Sequence, residues 1–273
     1  MNKRIESVAP ASSRLDPSDL GPVVEMTLAE ATRRGASGAE AAAALSQGLS
    51  VNVRMGELET VEHTRDRGLV ITVYFEQRTG SASTSDYSPT SVKDTVQAAC
   101  RIAEYTEADS CNGLADADRL ATNFPDLDLF HPWNPSVDDA CDMALECEQT
   151  AIDYDRRIEN SEGASVSSHE GHEIYATTTG FWGESRKTRH GLSCSVIGRD
   201  DSGMQRDYWF SSSRQAAELD NPDIVGLEAA RRTVRRLDAR KIDTCQVPVL
   251  FEAPVASSLI SHFVGAISGS ALY

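Results

Sequence analysis

Long apolar runs are missing. No window approaches the roughly 18 uninterrupted apolar residues of a membrane-spanning helix, and the start, MNKRIESVAPASSRLDPSD, carries charges but no apolar stretch of signal-peptide length. The expectation is a chain that is neither secreted nor membrane-spanning. Cysteine follows no framework: Cys100, Cys111, Cys141, Cys147, Cys194 and Cys245 form no CxxC and no paired spacing, so they read as reduced thiols of a cytoplasmic protein. Basic residues are outnumbered, 26 Lys and Arg against 42 Asp and Glu, for a formal charge of -16. That balance disfavours a general polyanion binder, DNA included. There is no P-loop or dinucleotide fingerprint. A GxSxG nucleophile elbow is absent too, since the Gly-Ser pairs at Gly80 and Gly269 lack the strand–Ser–helix setting. No internal repeat is present, and the alanine run near Ala41 is the one biased tract.

What is there begins with alternation. Leu49, Val51 and Val53 alternate with Ser50, Asn52 and Arg54, and Val61, Leu69, Ile71 and Val73 keep the same two-residue beat, as strands with one buried and one wet face do. Met55-Gly56 and Asp66-Arg67-Gly68 read as breaks. Connections this short force antiparallel pairing, so the stretch from Leu49 to Asp86 reads as a meander. Before it, Pro22 to Arg34 has helical spacing and meets Gly35 as a stop, and Ala39 to Leu45, helix-forming in composition but set between two glycines just ahead of the meander, fits a helix or a strand.

Ser88-Pro89 opens a helix with proline at its first position, striped by Val92, Val96, Ala99 and Ala103. Glu107 to Pro135 is rich in Asp, Asn and Pro and reads as an irregular connection pinned by Phe130 and Trp133. Ser136 with Asp139 forms a capping-box pattern ahead of a helix that turns Ala140, Met143, Ala144, Cys147 and Ala151 inward. Glu159 to Ser168 and Glu173 to Thr178 read as strands joined at Glu170-Gly171. Leu192, Cys194 and Val196 alternate up to a turn at Asp200 to Gly203, and MQRDYWF returns. Asn221-Pro222 starts a helix with Ile224, Leu227, Val234 and Leu237 on one face. QVPVLFE reads as a strand and SSLISHFVGAI as a helix or buried turn.

Helices grouped between blocks of antiparallel strands, without βαβ alternation, predict an α+β fold in two lobes. The expected layout is a polar lead over 1–21, an N-terminal α+β domain with the meander over 22–106, and a connection over 107–135. A central α+β domain over 136–240 and the start of a further domain over 241–273 complete it.

Four blocks in one order, GLSVNVRMGELETVE, GLVITVYFEQRTGSASTSD, SCSVIGRDDSGMQRDYW and SHFVGAISGSALY, resemble the PmbA/TldE family, the partner subunits of the TldD-type metallopeptidases. The resemblance runs from about Gly21 to Tyr273. It implies that a large C-terminal domain normally follows, so the chain reads as the N-terminal fragment of a TldE-like subunit. It also implies a zinc-bearing TldD-like partner and a joint activity, cleavage of unfolded peptides in an enclosed chamber. This chain would shape the chamber and hold substrate, for instance by strand addition at a sheet edge. The alternative is a self-standing binding or regulatory protein, of antitoxin or DNA gyrase modulator type, without a protease role.

In the TldD-type partner the closing block resembles an HExxxH helix, two histidines on zinc and a glutamate acting on water. Laid against it, Ile260, Ser261 and Gly265 take the His, Glu and His places. Ile and Gly bind no metal, and a Ser hydroxyl is a poor general base. His262 remains as a lone imidazole, so no catalytic residue, metal ligand or cofactor is expected in this chain and zinc is expected in the partner.

Three further groups carry chemistry. His169-Glu170-Gly171-His172-Glu173 looks like a zinc site, but its histidines are three apart rather than the four of an HExxH helix, and it reads as a polar turn. Ala230 to Lys241 is a basic helix, read as a solvated face or subunit contact. Arg206, Tyr208 and Trp209 are of types that hydrogen-bond and stack at binding surfaces, and are the candidates for peptide or partner contact.

Overall fold

The computed structural model describes residues 17–272. They divide into two compact units, one ending at Asp238 and the other beginning at Ala239.

The first unit opens with α1 (Leu20–Arg33), followed by β1 (Gly38–Arg54), β2 (Glu57–Phe75), β3 (Arg78–Thr84) and α2 (Pro89–Tyr105). After the connection come α3 (Val137–Asp153), β4 (Ile158–Thr177), β5 (Trp182–Asp200), β6 (Gly203–Ser213) and α4 (Pro222–Arg235). The fold is α+β, and the six strands make one antiparallel sheet in the order β3-β2-β1-β4-β5-β6.

Strand periodicity sorts the sheet into two unlike faces. Ala39, Ala41, Ala43, Leu45, Val51 and Val53 of β1 are buried and share a face with Ile71 of β2, Val166 and Ala176 of β4, and Leu192 of β5. Four helices cover that face. The first pair, α1 and α2, closes a core over β1, β2 and β3; the second, α3 and α4, closes another over β1, β4, β5 and β6. Among the described residues of this unit no helix packs on the opposite face.

Local chemistry fixes the helix starts and their seating. Ser88 Oγ accepts the Ser91 N–H, with Pro89 leading α2, and Ser136 with Asp139 forms a full capping box on α3. Gly80 lets α2 approach β3: a Cβ there would lie 2.2 Å from the Ala99 carbonyl oxygen. Gly226 does the same for α4, where a Cβ would lie 2.2 Å from the Cys147 carbonyl oxygen of α3.

The structure corrects four readings. Asp66-Arg67-Gly68 is not a break: β2 runs through it, paired to Leu45 and Ala44 of β1, and the chain reverses at Glu76-Gln77, where Glu76 has φ 57°. Glu170-Gly171 is likewise no turn, because β4 is held there by neighbours on both sides, Gly171 facing Ser46 and Lys187. The two strand groups are therefore one sheet, joined through β1 and β4.

The buried face of α4 is Val225, Gly226, Ala229, Ala230 and Thr233, while Ile224 and Leu227 stay about half exposed. Small residues set that face because the close approach to α3 excludes larger ones. In the second unit, residues 246–252 form no strand; Pro248 removes a ladder donor. There α5 (Ala253–Ala266) and the short α6 (Gly269–Leu272) follow. Among the described residues no helix is long and apolar enough to cross a membrane.

Candidate functional site

The alternation that buries Leu192, Cys194 and Val196 turns Gly191, Ser193 and Ser195 to the open face. Their cross-strand partners are Ser167, Ser165 and Gly163 of β4 on one side, and Ser212, Phe210 and Tyr208 of β6 on the other. The result is a floor of glycines and hydroxyls bearing a groove of about 250 Å³, lined by Ser165, Ser167, His169, Arg189, Ser193 and Phe210 among others. Tyr208 and Phe210 stack along its β6 side, with ring centroids 6.3 Å apart and planes at 20°.

His169 and Arg189 are cross-strand partners here. The His169 ring lies over Gly48 of β1, where a Cβ would fall 2.0 Å from Nδ1. Arg189 Nε donates to Ser212 Oγ at 3.2 Å.

The three residues proposed from sequence for contact part company on β6. Arg206 and Tyr208 stand on the open face. Arg206 donates to Glu162 Oε1 at 2.6 Å, and this contact, with a hydrogen bond from Ser195, holds the Glu162 carboxyl below its ordinary range. Trp209 points to the helix side, packed against the second core with the Arg232 guanidinium 5.0 Å from its ring.

Of the basic stretch Ala230 to Lys241, α4 takes in only the part up to Arg235, and three of the stretch's cations are committed to carboxylates. Arg236 donates to Asp207 Oδ2 at 3.1 Å, Arg232 lies 3.5 Å from Oδ1 of the same residue, and Arg231 pairs with Glu228. Burial pushes the Asp207 carboxyl up, but the Tyr208 N–H, Arg236 and Arg232 outweigh it and hold it below the usual carboxylate range. Thr233 Oγ1 accepts the Asp207 N–H at 3.1 Å, so α4 occupies the middle of the β6 edge. A peptide cannot add as a strand at that point.

The His169 to Glu173 segment is resolved by the pleat. His169 faces the open side, whereas His172 faces the helix side and sits 2.6 Å from Glu184 Oε1; residues three apart on a strand point to opposite faces, so these histidines cannot share an ion. His172 instead lines a cavity of about 50 Å³ with Gln47, Phe130 and Arg186, where the Arg186 guanidinium lies 3.8 Å from the Phe130 ring centroid.

The second unit places Ile260, Ser261 and Gly265 on α5. Ser261 Oγ donates to the Ser257 carbonyl at 3.1 Å, and His262 Nδ1 lies 2.6 Å from the Ser258 carbonyl oxygen. A zinc ion needs imidazole, thiolate or carboxylate donors, and the aliphatic, hydroxyl and hydrogen groups at these positions do not fit it. Among the described residues no three His, Cys, Asp or Glu side chains are grouped to hold a metal ion.

At the far end of the open face Glu40 accepts from two phenols, Tyr74 at 3.0 Å and Tyr175. Burial and the Glu40 carboxylate push Tyr74 up to about 12 and raise Tyr175 as well. The groove itself escaped the sequence reading, which followed the apolar half of β5; the signal was the Gly191-x-Ser193-x-Ser195 half between those residues.

Comparison with known proteins places this arrangement. Residues 39–103 match the model for PmbA/TldA metallopeptidase domain 1, and residues 130–237 match the PmbA/TldA metallopeptidase central domain. Metalloprotease PmbA of Escherichia coli O157:H7 is 45% identical over 236 residues, covering 86% of this chain and 52% of that protein. The Metalloprotease PmbA homolog of Haemophilus influenzae is 44% identical over 255 residues, covering 93% of this chain and 56% of that protein. The chain thus spans about half the length of the curated relatives it matches.

Among solved structures, a putative modulator of DNA gyrase from Bacteroides thetaiotaomicron superposes with a TM-score of 0.85 at 25% identity, over 92% of this chain and 58% of that one. TldE from Thermococcus kodakarensis superposes with a TM-score of 0.65 at 15% identity, over 78% of this chain and 47% of that one, a likeness of fold. The chain belongs to the PmbA/TldD metallopeptidase family.

Proposed function

We propose that this chain is part of the metal-free, TldE-like subunit of a two-subunit zinc metalloprotease. It shapes the chamber and holds extended, unfolded peptide, while a TldD-like partner supplies zinc, the nucleophilic water and the general base. One observation supports the reading: Ile260, Ser261 and Gly265, which fall at the His, Glu and His places when the closing block is laid without gaps against the HExxxH helix it resembles, lie together on α5 and bring no imidazole or carboxylate. A metallopeptidase scaffold with those donors replaced is suited to binding rather than to bond cleavage.

The open sheet face supports the substrate-holding part. Its floor of Ser and Gly offers hydroxyl donors and acceptors without bulk, and Tyr208 and Phe210 offer surface for apolar side chains. The commitment of Arg231, Arg232 and Arg236 to Glu228 and Asp207, together with the overall acidity, argues against a nucleic-acid role.

The test is a peptide-cleavage assay on a fluorogenic unfolded peptide. The chain alone is expected to be inactive, and co-expression with a partner bearing HExxxH is expected to give turnover that a chelator abolishes. Metal-dependent turnover by this chain without a partner would defeat the proposal.

A further inference from the structure

We infer that Arg189 and His169 form a subsite for a side-chain carboxylate of an extended peptide laid across the open face of the sheet. This rests on the reading that the chain holds peptide, but it is measured by binding, without turnover.

The placement comes from register and pleat. His169 and Arg189 face each other across β4 and β5, and both line the same groove of about 250 Å³. Of the five guanidinium N–H donors of Arg189, the Nε–H goes to Ser212 Oγ. Among the described residues the others meet no carboxylate. Holding Nε against Ser212 fixes the plane of the fork, which is the orientation bidentate recognition of a carboxylate needs. His169 adds a ring N–H donor, its position set by Gly48, which leaves the space a Cβ would take. The hydroxyls of Ser165, Ser167 and Ser193 supply further donors on the floor.

Charge selects the occupant. The chain carries 42 Asp and Glu residues, yet among the described residues none lines this groove. The acids of the same face nearest in register are elsewhere: Glu162 is engaged by Arg206 and Ser195, Glu173 pairs in register with Ser185, and Glu62 and Asp66 lie on β2, across from Ser50 and Ser46 of β1. At physiological ionic strength charges beyond about 8 Å are largely screened, so the local cation outweighs the acidic whole. The stacked Tyr208 and Phe210 then accept an apolar neighbour of the bound acid.

The experiment uses the full chain and three fluorescein-labelled nonapeptides read by anisotropy. One has two central Glu residues and an amidated C-terminus, the second has Gln in their place, and the third is the Gln peptide with a free C-terminus. The Glu peptide is expected to bind about ten times or more tighter than either Gln peptide, the size of one charge-assisted contact. Arg189→Gln is expected to remove that preference while leaving the affinity for the Gln peptides within about twofold.

Lys187→Gln makes the same change of charge on the same face, outside the groove, and is expected to cost less than about threefold. Gly48→Ala, whose Cβ displaces the His169 ring, tests the site again without touching Arg189 and is expected to lower the preference for Glu. Equal binding of the Glu and Gln peptides, tight binding of the free-C-terminus peptide alone, or an equal loss with Lys187→Gln and Arg189→Gln would each overturn the inference. None of these outcomes bears on whether the partnered protein cleaves peptides.

Discussion

Glu148 of α3 accepts the main-chain N–H of Gly56 at 2.8 Å, and its other oxygen accepts the N–H of Met55 at 2.9 Å. Met55 and Gly56 have φ of 51° and 78°, a tight reversal whose two main-chain N–H groups are taken up by the one carboxylate. A fully buried carboxylate on a helix thus closes the hairpin between β1 and β2, tying the second helix pair to strands that also carry the first. Glu148→Gln keeps the size but offers one acceptor oxygen instead of two. We expect a loss of about 1–3 kcal/mol, read as a lower urea midpoint with unchanged slope.

The two close helix contacts give a second prediction. Gly80→Ala and Gly226→Ala each place a Cβ about 2.2 Å from a backbone oxygen, of Ala99 and Cys147 respectively. Neither backbone can yield without moving a helix, so each change is expected to cost about 1–3 kcal/mol or more. Gly113→Ala, which meets nothing within 4 Å but has a positive φ of 157°, controls for backbone strain alone and is expected to cost less.

Alkaline stability follows from the phenols at Glu40. Tyr74 has its pKa raised from 10.0 to about 12, by burial first and then by the Glu40 carboxylate. A raised folded value means that the native state keeps its proton longer. Its contribution is therefore whole below pH 10 and is lost as pH rises from 10 toward 12. Glu40→Gln removes the charge, and spectrophotometric titration of the phenolates is expected to move down toward the ordinary tyrosine range. An unchanged titration would disprove the Glu40 contribution.

Acid acts through α1. Hydrogen bonds from Arg33, then from Arg34, lower the Glu30 pKa from 4.5 to about 2 against the opposing effect of burial. A lowered folded value contributes stability that is full above pH 4.5 and is lost as pH falls from 4.5 toward 2. In Glu30→Gln the melting temperature is expected to fall less steeply over that window than in the parent, measured by circular dichroism.

Much of the architecture was legible because it is local. Leu69, Ile71 and Val73 declare a strand by their spacing, Ser88 and Ser136 declare helix starts by their side-chain oxygens, and Met55-Gly56 declares a hairpin. What was not legible is set by partners far away in sequence. Gly68 and Gly171 look like turns alone, but neighbouring strands on one or both sides keep the chain extended through them. Ile224 and Leu227 look like a core stripe, but Gly226 and Cys147 fix the rotation of α4 the other way. Of the site, Arg206 and Tyr208 were found on the open face and Trp209 was not. Arg189 lay hidden because nothing in RKTRH shows which of its cations faces a groove.

The most direct test of the central claim is the zinc content of the purified chain, by mass spectrometry after exhaustive dialysis, alone and co-expressed with an HExxxH-bearing partner. We expect no stoichiometric zinc in this chain and about one equivalent in the pair, released when the partner's motif is mutated. One tightly held zinc in this chain by itself, next to Ser261, would contradict the account.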